Sequence, residues 1–147
     1  MKSILKIAIA AVSLACLSGQ ALAQSSCIGH DHATSLPAPK FDAKGIARTE
    51  TVRNEFDSKR QAIQVRVDFA PGASFPKHSH PGVEIAYVLS GQIEYEMDGK
   101  TIRLIAGESL YIPAGAVHSA KNIGSEVTSE LATYLVDKDK PIVILDK

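Results

Sequence analysis

Residues 72–122 read GASFPKHSHPGVEIAYVLSGQIEYEMDGKTIRLIAGESLYIPAGAVHSAKN and hold three of the chain's five histidines together with Glu84. Turn formers surround these four residues: Gly72, Pro81-Gly82, Gly91, Gly107 and Pro113-Ala114-Gly115, in a background rich in Val, Ile and Tyr. Side chains on an extended strand alternate between its two faces, so His78 and His80 project to the same side. Pro81-Gly82 bends the chain and lets Glu84 return to that side. His118 follows the turn at Pro113-Ala114-Gly115 on a different strand, from which it can close the group across a barrel. Neutral imidazole is a common metal ligand, and a carboxylate beside it makes a mixed nitrogen/oxygen set. An octahedral ion held by these four side chains keeps two positions open for water, substrate or dioxygen.

Outward from this stretch, the pattern is one of short strands separated by turn residues. In residues 62–70, Ile63, Val65, Val67 and Phe69 alternate with Gln64, Arg66 and Asp68, which predicts a half-buried strand with those three polar residues on its wet face. Residues 46–57 carry mixed charge with Val52 and Phe56 as anchors, and read as one or two short edge strands. Strands are expected over residues 83–90, 92–97, 101–105, 109–112, 117–121 and 127–136, with a last extended piece over 141–145. Asp98-Gly99 is a strong two-residue hairpin signal. If Glu84 faces inward, Ala86 and Val88 share its face, while Ile85, Tyr87 and Leu89 face the other way. No window outside the N-terminus shows a helical stripe, so the pattern argues an all-β sandwich or barrel.

The N-terminus reads differently. Lys2 and Lys6 precede an apolar run interrupted only by Ser13, and Ala21-Leu22-Ala23 offers small residues where a signal peptidase cuts. Residues 1–23 are therefore expected to be a cleaved secretory signal, too short and wrongly flanked to span a bilayer. Ser13 stands where a lipoprotein site before Cys16 usually wants Leu, which disfavours that processing. Cleavage takes Lys2 and Lys6 from 16 basic residues and leaves 14 against 16 acidic ones. No basic cluster is left to neutralise phosphates, so neither nucleic acid nor a membrane surface is an expected partner. Cys27 would be the single remaining cysteine, which excludes an internal disulfide and leaves a free thiol or an intermolecular link. Residues 24–44 read as a flexible arm. Its Gly29-His30-Asp31-His32 run lacks a rigid scaffold and reads as a solvated tail rather than a metal site.

The spacings within residues 72–122 resemble both signature motifs of the cupin family. The first runs Gly72, five residues, His78-Ser79-His80, three residues, Glu84, six residues, Gly91; the second runs Gly107, five residues, Pro113-Ala114-Gly115, two residues, His118, three residues, Asn122. The resemblance implies a single-domain cupin jelly-roll β-barrel over residues 45–147, with one metal near its centre. It implies His78, His80, Glu84 and His118 as the ligands, and Glu84 as a carboxylate that can additionally act as a catalytic base. It also implies structural roles for the glycines and Pro113, and a turn-forming rather than ligating Asn122. A lone His-x-His pair is commonly strand surface, and a lone Glu between Val83 and Ile85 commonly a solvated carboxylate. At this joint spacing, with no ligand position lost, the metal reading prevails.

The expected cofactor is one divalent transition metal: zinc, copper, iron, manganese or nickel. Affinity outside the cytoplasm favours zinc and copper. The expected function is an exported, periplasmic or secreted cupin acting on a small organic molecule, with dioxygenase-type chemistry ahead of isomerase or lyase chemistry. A non-catalytic periplasmic holder of a metal or small ligand is the rival. Phe75, Tyr95 and Tyr111 are candidate pocket aromatics whose plainer reading is barrel core, and Arg66 could bind an anionic substrate if its face lined the cavity, its plainer reading being a solvated strand residue. The apolar outward face of residues 83–89 and the family's habit together predict a homodimer.

Overall fold

The computed structural model describes residues 38–146. Its strands in chain order are β1 (Ile46–Glu55), β2 (Arg60–Phe69), β3 (Ser74–Ser79), β4 (Gly82–Ser90), β5 (Gln92–Met97), β6 (Lys100–Ile105), β7 (Ser109–Ile112), β8 (His118–Asn122), β9 (Thr128–Asp137) and β10 (Ile144–Leu145). No helix occurs among the described residues. Two five-stranded antiparallel sheets form, in the orders β1-β2-β9-β4-β7 and β10-β3-β8-β5-β6. This is the jelly roll expected from the sequence. Residues 1–23, read above as a signal, and Cys27, His30 and His32 lie outside the described residues.

Period-two patterning decides which side chains enter the core. On β4, Glu84, Ala86 and Val88 are buried while Ile85, Tyr87 and Leu89 are exposed, as expected. On β9, Thr128, Glu130, Ala132, Tyr134 and Val136 face inward. Ala86 lies opposite Ala132, and small side chains in that pair leave room for the opposite sheet. Ile63, Ile93 and Ile112 are fully buried, each contributing about 1.5–3 kcal/mol of burial. Asp98 and Gly99 both take left-handed backbone, at φ 52° and 71°, and join Met97 to Lys100 in a two-residue hairpin. Gly91 combines φ 80° with a close approach: a Cβ there would stand 2.3 Å from the Thr128 Oγ1.

Three expectations need correction. The one or two short edge strands expected over residues 46–57 are a single ten-residue edge strand, Ile46–Glu55, with a register shift between Glu50 and Val52, longer than expected. Its anchors are the buried Ile46 and Ala47, whereas Val52 and Phe56 are exposed. An edge strand covered on one side only buries the end that folds over the core. Asp68, expected in water, is 1% exposed. Arg66 pairs with its carboxylate at 2.8 Å and the Ser129 hydroxyl donates to it, which satisfies the buried charge.

Asn122 closes the end of β8. Its Nδ2 donates to the carbonyls of Phe69 (3.0 Å), Ala70 (3.1 Å) and Glu126 (2.8 Å). Its Oδ1 accepts from the Gly124 amide at 2.8 Å and the Thr128 hydroxyl at 2.9 Å. This is the turn-forming role expected of it.

Candidate metal centre

The four residues singled out by spacing come together inside the barrel. His78 stands near the end of β3, His80 in the bend after it, Glu84 on β4 and His118 at the start of β8. The antiparallel register sets His78 directly opposite His118, and their ring centroids are 4.2 Å apart. Gly82 gives β4 its close approach to β9, since a Cβ there would lie 2.0 Å from the Leu135 carbonyl oxygen. All four side chains are buried, and one ligand atom from each lies within 4.8 Å of the others.

Hydrogen bonding decides which atoms face the centre. His78 Nδ1 donates to the Pro76 carbonyl (2.9 Å), His80 Nδ1 to Ile142 (2.6 Å) and His118 Nδ1 to Ala116 (3.0 Å). A carbonyl only accepts, so each Nδ1 carries the proton and each Nε2 keeps its lone pair. Glu84 Oε2 lies 2.8 Å from His80 Nε2 and 3.3 Å from His118 Nε2. Yet Oε2 and those two Nε2 atoms have no hydrogen-bond partner among the described residues. Buried lone pairs that face one another without a donor are costly. A cation between them removes that cost, so the residues present fit a metal ion.

The charges agree. Burial, then the neighbouring His118 imidazole, pushes His78 down to about 4, so it stays a neutral donor at neutral pH. Burial alone would raise the Glu84 carboxyl, but the His118 and His80 imidazoles beside it hold it at about 2. His78 thus offers a neutral imidazole and Glu84 an anionic carboxylate.

Around the centre lies a wall that spacing alone does not reveal. The Tyr134 ring lies 4.8 Å from that of His80, opposite Glu84 in the sheet. The Phe75 ring meets His78 edge-on at 4.5 Å. The Tyr95 hydroxyl donates to the buried Glu130 carboxylate. Burial, reinforced by the charge of Glu84, pushes Glu130 up to about 8, and burial likewise raises the phenols of Tyr95 and Tyr134 well above their usual value. Arg48, Phe75, Tyr95, Glu130 and Tyr134 line one cavity with His78, Glu84 and His118, leaving ≈ 20 Å³ of free space, enough for a water or an ion. Phe75 and Tyr95 are thus pocket residues as well as core. Tyr111, 59% exposed, is not: its strand turns it to the outer face beside Ile85. Arg66 stays on the outside, paired with Asp68. Glu130 was legible as an acid on the inward register of Ala132, Tyr134 and Val136. Arg48 had no such signal.

Two antiparallel sheets with a buried His/His/Glu/His group between them define a jelly-roll barrel with a cluster able to hold a metal ion. Residues 65–134 match the sequence model described as "Cupin domain". The rhicadhesin receptor of Pisum sativum is 39% identical over 75 residues, 47% of this chain and 35% of that protein. Germin-like protein subfamily 2 member 2 of Arabidopsis thaliana is 38% identical over 77 residues, 47% of this chain and 34% of that protein. A solved structure of recombinant oxalate oxidase in complex with glycolate aligns with TM-score 0.59 and 26% identity over 71% of this chain and 56% of that one. The chain carries a cupin domain over residues 65–134 and has the cupin fold. It spans about a third of the length of the curated relatives it matches, 35% and 34%.

Proposed function

We propose that this chain is an exported metal cupin that acts on a small organic molecule inside its barrel. His78, His80, Glu84 and His118 hold one divalent transition metal. The observation that carries this reading is the convergence of His80 Nε2, Glu84 Oε2 and His118 Nε2, unpartnered among the described residues, with the Nδ1 of His78, His80 and His118 each committed to a backbone carbonyl. A bound ion supplies Lewis-acid polarisation and, where redox-active, dioxygen chemistry. The chain's own residues do the rest. The carbonyls of Pro76, Ile142 and Ala116 hold the imidazoles in orientation, the barrel wall excludes bulk water, and Glu84, once detached from the ion, is the carboxylate that takes up a proton. Zinc and copper are the ions favoured by affinity, with iron, manganese and nickel behind them.

The likeness to a solved oxalate oxidase supports oxidase- or oxygenase-type chemistry, with isomerase or lyase chemistry second. The tightness of the cavity, ≈ 20 Å³, favours one rival: a non-catalytic periplasmic holder of a metal or small ligand. Export rests on the character of residues 1–23. The exposed Ile85, Tyr87 and Leu89 support pairing with a second copy. Metal analysis of the purified mature chain, followed by oxygen uptake with phenols, diketones and flavonols under each metal, tests the reading. Metal-free protein with all four ligands intact would sink it. Metal without turnover on any compound would move it to the binding protein.

A further inference from the structure

His78, His80, Glu84 and His118 are between 1% and 6% exposed, with ≈ 20 Å³ of free space among the side chains around them. A metal site needs an entry path, so part of this wall has to move when an ion enters or leaves. Most of the wall is sheet: β9 pairs with β2 at ten positions and with β4 at eight. The C-terminal segment is held far more lightly. It leaves the end of β9 at Asp137, turns at residues 138–140 and crosses to the other sheet. There β10 pairs with β3 at two positions, Ile144 with Ser79 and Leu145 with His78. The Asp146 amide adds one bond to the Lys77 carbonyl at 3.0 Å. Ile144 and Leu145 are exposed, so their side chains add little burial.

We propose that residues 139–146 form a strap that lifts to admit or release the metal ion, and that its closure is coupled to the ion through His80. This deepens the proposed function and rests on its metal centre. The inner side of the strap seals the site: Val143 lines the cavity, and the Ile142 carbonyl accepts from His80 Nδ1 at 2.6 Å. Its hinge is fixed at Lys138. The Lys138 amide donates to the Lys59 carbonyl at 3.0 Å, its carbonyl accepts from Gln61 at 3.3 Å, and its ammonium pairs with Glu55 at 2.9 Å. Asp139, Lys140 and Pro141 beyond it are exposed. Lifting the strap gives up two ladder positions and the half-buried Ile142 and Val143. Parting β9 from either neighbour breaks eight or ten positions instead, and the least anchored element opens first.

The coupling runs through one hydrogen bond. The acceptors of His78 and His118 lie two residues before them and travel with their own strands, whereas His80 depends on a carbonyl 62 residues away. When the strap lifts, the His80 ring loses that acceptor, and its Nε2 is no longer held beside Glu84 Oε2. An ion on Nε2 in turn makes the Nδ1 proton a stronger donor, which tightens the bond to Ile142. By linkage, an ion that favours the closed strap is itself held more firmly by it. Release therefore begins at His80, one of the four clustered side chains.

Amide hydrogen exchange of the full chain, read by NMR with and without zinc, tests the strap. In the zinc-free chain the Asp146 amide is expected to exchange at least about ten-fold faster than the Val88 amide, which donates to Glu108 within the wall. Zinc is expected to slow Asp146 by about ten-fold and to leave the Phe56 amide, bonded to Arg60 far from the site, within about two-fold. The rate at which excess chelator strips zinc reads the gate itself. Ser79→Cys with Ile144→Cys, in a chain whose Cys16 and Cys27 are replaced by serine, places thiols on directly opposed residues. Their Cα spacing, about 4.5–5.5 Å for such pairs, is one a disulfide spans. Oxidation is expected to slow release by about ten-fold or more, and reduction to restore it. Asp146→Pro, which removes the amide bonded to Lys77, is expected to speed release by about three- to ten-fold at unchanged zinc stoichiometry. Asp146 exchange as slow as Val88 or unmoved by zinc, or release within about two-fold in the oxidised chain or in Asp146→Pro, would each overturn the proposal. Zinc uptake separates the two possible failures. A chain that takes up none overturns the metal centre and the gate with it, whereas bound zinc with any of those results overturns the gate alone.

Discussion

His80 Nδ1 donates to the carbonyl oxygen of Ile142 across 2.6 Å, joining residues 62 positions apart in the chain. The other two imidazoles lean on carbonyls two residues before them, Pro76 for His78 and Ala116 for His118. One imidazole of the cluster is therefore oriented by the C-terminal segment. That segment also adds Val143 to the cavity wall and pairs Leu145 with His78.

Deleting the chain from residue 142 onward should weaken metal binding by about ten- to hundred-fold, the usual effect of losing a partner that orients a ligand. The ring of His80 would lose its tautomer constraint while His78 and His118 kept theirs. Competition with a chelator of known affinity measures it. Undiminished affinity in a folded truncation would show that Ile142 orients nothing.

His80→Ala should abolish stoichiometric metal binding, whereas His32→Ala should leave it intact. His80 supplies an inward Nε2 to a four-residue group, and His32 belongs to the arm read as a solvated tail. Metal content by mass spectrometry distinguishes them, and equal losses would move the site to include the arm.

The metal-free chain should lose stability as pH rises through the range just above neutral. Glu130 sits at about 8 when folded against an ordinary 4.5, so its contribution is complete below about 4.5 and is lost as pH climbs toward 8. His78, at about 4 against 6.5, acts the other way: its contribution is complete above about 6.5 and is lost as pH falls toward 4. Of these two groups only Glu130 titrates between about 6.5 and 8. Melting temperatures taken there should decline for the native chain and hold level for Glu130→Gln. Parallel declines would assign the slope to another group.

Asn122→Ala should cost about 3 kcal/mol, because the carbonyls of Phe69, Ala70 and Glu126 and the Gly124 amide lose a buried partner together. Denaturant unfolding of native and variant chains gives the difference. Metal stoichiometry should not change, since Asn122 is not among the clustered ligands. A loss of metal with unchanged stability would reverse its role.

Much of the fold was legible because its causes are local. The alternation at Glu84, Ala86 and Val88 against Ile85, Tyr87 and Leu89 states which side of β4 is buried, and Asp98-Gly99 states where β5 turns into β6. The same alternation misled at Asp68. There the partners that permit burial, Arg66 and Ser129, come partly from a strand 61 residues away. Tyr111 was misplaced because an aromatic in a four-residue strand carries no sign of which face it takes until β7 is set against β4.

By itself the sequence determined the strand-and-turn plan and, through the spacing of its two motifs, singled out His78, His80, Glu84 and His118 as a candidate group, since residue type and spacing are local properties. Only the tertiary structure decided what surrounds that group. Arg48 reaches it through the register of β1 on β2 and β9, Glu130 and Tyr134 through that of β9 on β4, and Ile142 through the pairing of β10 with β3. Each of those pairings joins strands far apart in the chain. A one-residue slip would turn every side chain to the other face, so only the folded register says which ones meet the centre.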